Sequence, residues 1–247
     1  MDQCFGIDVG GTGIKGAIVN LESGELLTDR FRIPTPDGAA PKDVVKAIKE
    51  ILSKVDYAGV IGCGFPSVIL HGTAMTAANI HSDWIGKNVN QYVEKGTGFR
   101  TFAVNDADAA GVAEMRFGKG KGQNGVVLFL TLGTGIGSAL FKDGVLIPNL
   151  EFGHMELHGM DAEHYASAVV REKKKLSWKQ YSKRLQEYLI KMESLFWPDL
   201  FIIGGGISKV SQEFLPLIKT RTPIFPAELR NNAGIIGAAL FASDQIK

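Results

Sequence analysis

Cysteine is almost absent from this chain. Cys4 and Cys63 are the two it has, too few for a disulfide framework and far from any histidine pair at zinc-ligand spacing. A structural metal is therefore not expected, and a reducing, cytoplasmic setting is. No apolar run approaches the roughly 18 residues that a membrane helix needs; Val126 to Leu130 and Gly234 to Ala242 are the longest. The N-terminus does not read as a signal peptide, because Asp2 and Asp8 flank only a short apolar patch with no basic segment ahead of it. Neither sign of charge dominates: 27 Lys and Arg against 26 Asp and Glu leave a formal net charge of +1. That balance supplies no field for nucleic acid or a membrane surface, so neither is expected as a partner, and any polyanion has to be gripped by a local set of cations.

Glycine, by contrast, is plentiful, with 30 in 247 residues, about 12% against a usual ~7%. It is clustered in Gly10-Gly11-Thr12-Gly13, Gly133-Thr134-Gly135-Ile136-Gly137 and Gly204-Gly205-Gly206. Each cluster follows an apolar run that reads as a strand, which marks three places where backbone can come close to a ligand.

The hydrophobic pattern predicts strands over Cys4 to Val9, Ile14 to Asn20 and Glu25 to Ile33, then a helix over Pro41 to Lys54. Parallel strands are expected at Gly59 to Phe65 and Thr101 to Asn105, with a partly helical stretch from Trp84 to Glu94 between them. From Asp106 the pattern starts again. A helix of small residues covers Ala107 to Phe117, and strands cover Val126 to Thr131, Gly135 to Phe141 and Val145 to Ile147. Helices follow at Asp161 to Val170 and Ser177 to Phe196, then a strand at Asp199 to Ile203 and helices at Ser208 to Leu217 and Asn232 to Ser243. No Pro- or Ser-rich linker separates the halves. The reading is an α/β protein with two similar lobes and a ligand clamped in the cleft between them: a small lobe over 1–107, completed by the closing helix 233–247, and a large lobe over 108–232.

Asp8-Val9-Gly10-Gly11-Thr12-Gly13-Ile14-Lys15 sets a carboxylate, a glycine turn, a hydroxyl and a lysine within one hairpin. Backbone N–H groups of Gly10 and Gly11, the Thr12 hydroxyl and the Lys15 ammonium suit phosphate oxygens, and Asp8 suits a hydrated Mg²⁺. An ordinary hairpin turn would use the same glycines. Thr134 and Gly135 lie in a second such turn, and two in corresponding places of two half-chains exceed what turn geometry requires. Gly205 and Gly206 open a helix whose first N–H groups favour an anion, although Ser208 as a plain N-cap would look alike. Asn105-Asp106-Ala107-Asp108 lies where a strand ends and a helix begins. Asp106 is either a cap or a general base that takes a proton from a hydroxyl attacking phosphorus, with Asp108 the competing base. Glu151 and His154 are spaced to share vicinal hydroxyls of a sugar ring. Asn79 could add a contact, and Trp84 is either an apolar wall or core. Lys119 and Lys121 lie in a basic run, either a solvated face or the donor side of a cleft.

Taken together, these motifs resemble the ROK family of sugar kinases and repressors, within the actin/hexokinase/Hsp70 superfamily, from Asp8 to the last helix. The resemblance implies the two-lobed actin/hexokinase-like (RNase H-like) fold. It also implies a phosphate role for Asp8 to Lys15 and Gly133 to Gly137, an adenosine-side role for Gly204 to Gly206, and Asp106 as the base for the 6-hydroxyl of glucose. Asn79, Asn105, Glu151 and His154 would bind the ring. Three departures matter. The family's cysteine-rich zinc segment is reduced here to Glu163-His164-Tyr165-Ala166-Ser167, so Glu163 stays an expected sugar contact and zinc is not expected. Pro66-Ser67 stands where the family has Pro-Gly, which places Ser67 at the sugar. No helix-turn-helix precedes Asp8, which argues against the repressor branch. The stretches Ser82 to Gly86, Asn105 to Gly111, Glu151 to Glu156 and Trp197 to Ile202 look like the zinc-less branch that phosphorylates glucose from polyphosphate. The resemblance thus implies polyphosphate as donor with ATP as a second, Mg²⁺ as cofactor and a homodimer. An ATP-only hexose kinase and an actin-like nucleotide-binding protein are the rivals.

Overall fold

The computed structural model describes residues 2–246. It opens with β1 (Gln3–Gly10), β2 (Gly13–Asn20), β3 (Phe31–Ile33), α1 (Pro41–Leu52) and β4 (Ile61–Phe65). Next come β5 (Ile69–Leu70), β6 (Thr73–Ala74), α2 (Val89–Thr97), β7 (Thr101–Asn105) and α3 (Asp106–Phe117). The second half holds β8 (Val126–Leu132), β9 (Ile136–Lys142), β10 (Val145–Ile147), β11 (Glu156–Leu157), β12 (Met160–Asp161), α4 (Glu163–Ala166) and α5 (Ala168–Lys173). It ends with α6 (Trp178–Phe196), β13 (Leu200–Gly204), β14 (Ile224–Pro226) and α7 (Ala233–Asp244). Two compact units result, one of Met1–Ala113 with Asn232–Lys247 and one of Glu114–Asn231.

The first unit holds a five-stranded sheet in the order β3-β2-β1-β4-β7. Strands β1 and β2 are antiparallel with Asp8 opposite Lys15, whereas β1, β4 and β7 run parallel. Parallel strands need a crossover, and α1 supplies one by burying Val44, Val45, Ile48, Ile51 and Leu52 along one stripe. Pro41 sits in its first turn, where a missing N–H costs nothing. The second unit repeats the plan in the order β10-β9-β8-β13-β14, again a hairpin continued by parallel strands. Here α6 covers the sheet with Tyr181, Leu185, Leu189 and Met192, all fully buried. Ser177 and Gln180 start it with a reciprocal capping box.

Four elements differ from the sequence pattern for local reasons. The strand expected over Glu25 to Ile33 survives as β3 and a single bridge between Val19 and Leu26. Between them the Thr28 hydroxyl accepts from the Ile18 N–H at 3.2 Å, so a side chain replaces the neighbouring strand. The helix expected from Asp161 begins instead as a hairpin. His158 and Gly159 both have positive φ, 56° and 73°, which folds β11 back onto β12 and leaves Asp161 in a strand. Ser167 at ψ 162° then splits the remainder into α4 and α5. The Ser208 to Leu217 segment is two 3₁₀ pieces, and Ser208 does not cap: its hydroxyl donates to the Gly205 carbonyl at 2.8 Å. Trp84 closes a 3₁₀ turn, and α2 starts only at Val89 with the Asn88 side chain accepting from Gln91 N–H.

Helix α7 is built to lie against backbone. A Cβ on Gly6 would fall 1.9 Å from the Ile235 carbonyl oxygen, one on Gly62 1.8 Å from that of Ala238, and one on Gly237 1.6 Å from that of Ala109. Main chain occupies the space in all three cases, so no rotamer change can relieve a clash. We expect Gly237→Ala to destabilise the protein by about 2 kcal/mol or more through overpacking. A lowered urea midpoint with an unchanged slope will register it; an unaltered midpoint would refute the close approach.

Candidate active site

The turn between β1 and β2 is shaped by its neighbours. The Gly10 carbonyl accepts from the Thr35 hydroxyl, and the Thr12 carbonyl accepts from the Arg32 guanidinium at 2.8 Å. With both acceptors engaged, the turn's carbonyls repel an approaching anion less. Lys15 ion-pairs with Asp8 at 2.8 Å across the ladder. Its other cross-strand partner is Arg32. Two cations placed side by side on a sheet are unfavourable unless carboxylates or an anion lie near them. Arg32 was not singled out from sequence, because its proximity to Thr12 depends on β3 pairing with β2.

At the far end of the same sheet, β7 delivers Asn105 and Asp106. The Asn105 side-chain oxygen accepts from the N–H groups of both Ala107 and Asp108, at 2.9 and 3.1 Å, so Asn105 caps α3. Asp106 Oδ1 also accepts from Ala107 N–H at 2.8 Å. Asn105 Nδ2 donates to the Ser67 carbonyl at 3.1 Å, which leaves one amide hydrogen for other partners. Ser67 is almost fully buried, and its hydroxyl donates to the Thr76 carbonyl at 2.8 Å while accepting from Thr76 N–H. Its visible work is to brace the 67–76 loop and hold Asn105. Asn79 is exposed on a bend that follows. Trp84 is core: fully buried, edge-on to Phe65 and Tyr92, with its indole N–H on the Ala39 carbonyl at 3.1 Å.

In the second unit, the β8–β9 turn is braced from one side by Glu163. Glu163 Oε2 accepts from Ile136 N–H at 3.2 Å, and a Cβ on Gly135 would stand 2.2 Å from that oxygen. Gly135 is thus glycine so that a carboxylate can approach. Thr134 stands on the open part of this turn. Near Glu163 lie Glu151 and His154. His154 Nε2 is 3.9 Å from Glu151 Oε2, and Nδ1 is 2.9 Å from Asp161 Oδ2. The Asp161 hydrogen bond, reinforced by the Glu163 and Glu151 charges, raises the His154 pKa despite opposing desolvation. Burial raises that of Glu151, opposed by His154 and aided by Glu163. Asp161 went unread in the sequence because it sat inside an expected helix.

Glu114, in the last turn of α3, is also new. Fully buried, it accepts from the N–H groups of Lys119 at 3.1 Å, Glu228 at 3.2 Å and Leu229 at 2.7 Å. It thereby ties the basic loop to the 228–229 segment. Lys119 leans over the Phe225 ring at 4.4 Å and lies 3.8 Å from Glu228, while Lys121 is exposed. Gly205 has φ 81° with the Leu132 backbone where a Cβ would go, and Gly206 starts the 3₁₀ segment behind it.

Comparison with known proteins places these features in context. A sequence model of the ROK family matches residues 4–168. The polyphosphate glucokinase of Mycobacterium tuberculosis (strain CDC 1551 / Oshkosh) is 47% identical over 237 residues, covering 96% of this chain and 89% of that protein. The solved inorganic polyphosphate/ATP-glucomannokinase from Arthrobacter sp. strain KM superposes with a TM-score of 0.96 at 49% identity, covering 99% of this chain and 100% of that one. A ROK family glucokinase from Streptomyces griseus, in complex with glucose and AMPPNP, superposes with a TM-score of 0.83 at 25% identity, covering 98% and 99%.

Glu114 yields a stability test. Glu114→Ala takes the acceptor from three part-buried N–H groups, and a loss of roughly 3 kcal/mol is expected. In a chain of this size that corresponds to a fall in Tm of about 6–12 °C, readable by calorimetry. An unchanged Tm would mean that the two segments do not depend on the carboxylate.

Proposed function

The chain belongs to the ROK family, and from that membership we propose that it transfers the terminal phosphoryl group of inorganic polyphosphate to the 6-hydroxyl of glucose, with ATP as a second donor. Its fold is the actin-like α/β fold of ROK sugar kinases. The observation that carries the donor assignment is near-half identity to a polyphosphate glucokinase over almost the whole chain. The site geometry supports the chemistry. Asn105 caps α3, so Asp106, the first residue of α3, is not needed as the sole cap and can serve as base.

In this reading the Asp106 carboxylate takes the proton of the 6-hydroxyl as its oxygen attacks the terminal phosphorus. The bond to the bridging oxygen breaks, and the shortened polyphosphate leaves with the electron pair. Glu151 and His154 hold ring hydroxyls, with Glu163, Asn79 and the remaining amide hydrogen of Asn105 as further contacts; Ser67 acts through Asn105. The turns at Gly10 to Thr12 and at Thr134 and Gly135 receive donor phosphates, Gly205 and Gly206 flank the donor, and Lys15, Lys119 and Lys121 supply charge. Arg32 adds a cation beside the first turn.

Phosphoryl transfer of this kind uses a divalent metal to neutralise charge between the transferred and leaving groups. The donor set fits Mg²⁺: Asp8 offers hard carboxylate oxygen at a strand end, and Mg²⁺ takes most of its remaining ligands from phosphate and water. No cluster of three or more His, Cys, Asp or Glu at metal-holding spacing occurs among the described residues, so Asp8 would act through water. A homodimer and a cytoplasmic setting complete the reading; no helix of the described residues is long and apolar enough to cross a membrane.

The test is glucose 6-phosphate formation by purified protein, with polyphosphate and ATP compared at equal phosphoryl concentration. Turnover with ATP alone would leave the ATP-only rival standing. Asp106→Ala is expected to cut kcat by roughly 10² to 10⁴ with little change in glucose affinity; retention of a tenth of wild-type kcat would shift the role to Asp108. Neutralising Lys119 and Lys121 together should raise KM for polyphosphate more than for ATP, with the difference shrinking at high salt. Equal losses for both donors would make these lysines a solvated face.

A further inference from the structure

An imidazole can carry its single proton on either nitrogen, and its use to a sugar hydroxyl depends on which one and on the ring's charge. In this protein the choice is set from outside the ring. His154 ends a 3₁₀ turn, Phe152–His154, whose Met155 carbonyl accepts from Ala162 N–H at 2.9 Å. That bond closes the β11–β12 hairpin, in which Asp161 lies opposite Glu156 and Met160 opposite Leu157. At the hairpin's tip, His158 Nε2 lies 2.8 Å from Glu187 Oε2 on α6, and the Tyr165 hydroxyl donates to the same oxygen at 2.9 Å. The hairpin is therefore fixed at both ends, and its register puts the Asp161 carboxylate 2.9 Å from His154 Nδ1.

We propose that Asp161 is a positioning residue for the acceptor: its carboxylate, 2.9 Å from His154 Nδ1, holds Nδ1–H, so that Nε2 is the nitrogen offered to the sugar. The identity of the sugar rests on the function proposed above; the control of the ring does not. Among the described residues, the charges that act on His154 are those of Asp161, Glu163 and Glu151, all acidic. Glu151 stands 3.9 Å from Nε2, Glu163 contributes from α4 while its Oε1 lies 3.8 Å from His164, and Glu156 is the cross-strand partner of Asp161. Carboxylates so grouped favour the protonated form of the imidazole between them, the direction in which its pKa is moved.

The sign follows from the raised pKa of His154. Below its midpoint the ring makes a charge-assisted bond to a sugar oxygen, the stronger kind. As pH rises through the midpoint the Nε2 proton leaves, because Nδ1–H is held by Asp161, and Nε2 becomes a neutral acceptor. Glucose KM should rise there while kcat changes less, since His154 touches the ring and not the transferred proton.

Two variants separate charge from orientation. Asp161→Asn keeps an acceptor for Nδ1–H and removes the charge, so the midpoint should fall toward the ordinary value near 6.5 and the rise in KM should begin at lower pH. Asp161→Ala removes both and should raise glucose KM roughly tenfold across the pH range. With only 5 histidines in the chain, a ¹⁵N titration of the ring nitrogens can follow His154 directly, its signals assigned by their loss in His154→Gln. Expected are a midpoint above 6.5 in the wild type, a lower one in Asp161→Asn, and a proton on Nδ1 in the neutral ring. An unchanged midpoint in Asp161→Asn, or a neutral ring protonated on Nε2, would overturn the proposal. If the wild type forms no glucose 6-phosphate, the function proposed above fails while the ring titration still decides the role of Asp161.

Discussion

The approach of helix α7 to the first sheet is the constraint on which that unit depends. A helix normally stands off a sheet by the length of its side chains. Here Gly6 on β1 and Gly62 on β4 have surrendered theirs, and the carbonyls of Ile235 and Ala238 take the space. The helix answers with Gly237, over which the Ala109 carbonyl of α3 sits. Three main-chain contacts thus hold β1, β4 and α3 close to α7, and main chain cannot yield as a side chain can. Asp8 ends up against Gly234, where a Cβ would stand 2.9 Å from its Cγ, and the start of α3 is brought to the end of β7. Packing thus sets the backbone that carries the candidate metal carboxylate and the candidate base, while Lys15 on Asp8 and the Ala107 N–H on Asp106 orient their side chains.

A second device recurs at the loops. Side-chain oxygens take up backbone N–H groups that the secondary structure cannot satisfy: Asn105 at the start of α3, Glu163 at Ile136, Glu114 at three positions, Asp199 at Val126. An unmade bond inside a protein costs more than a made one contributes, so these acceptors are hard to remove. The device also makes the two glycine turns unlike each other. The first has its carbonyls covered by Thr35 and Arg32 and carries its own ion pair; the second is braced by a carboxylate at an N–H. The same spelling in the sequence thus supports different electrostatics.

Much of this was legible beforehand where the signal was local. The hairpin glycines, the stripe Tyr181, Leu185, Leu189 and Met192, and the small residues of α7 each state their structure within a few residues. The Asn105-Asp106 and Glu151 to His154 motifs were readable as chemistry for the same reason. What escaped were choices made by distant partners. The hold that the Ser67 carbonyl has on Asn105, 38 residues on, could not be read from the sequence. Glu114 shows nothing in sequence, because its partner Leu229 is 115 residues away. Asp161 was hidden by a helical pattern that two positive-φ residues, His158 and Gly159, override; Gly159 announces a turn, but His158 does not.

Charge balance gives the last step. A chain of net charge +1 that handles a polyanion must concentrate its cations, and this one also neutralises several of them: Lys15 against Asp8, Lys119 beside Glu228. Such pairing is sensible for a transferase as opposed to a storage protein. Cations left bare would hold a polyphosphate tightly in every register, and product release would then limit turnover. Cations already sharing a carboxylate exchange one partner for another, so the net gain on binding an anion is smaller. The carboxylates of Glu151, Asp161 and Glu163 are arranged the opposite way, acting together on the imidazole of His154. A neutral sugar brings no charge to rearrange, and its recognition therefore relies on the direction of hydrogen bonds, which a ring held from behind by a carboxylate can keep.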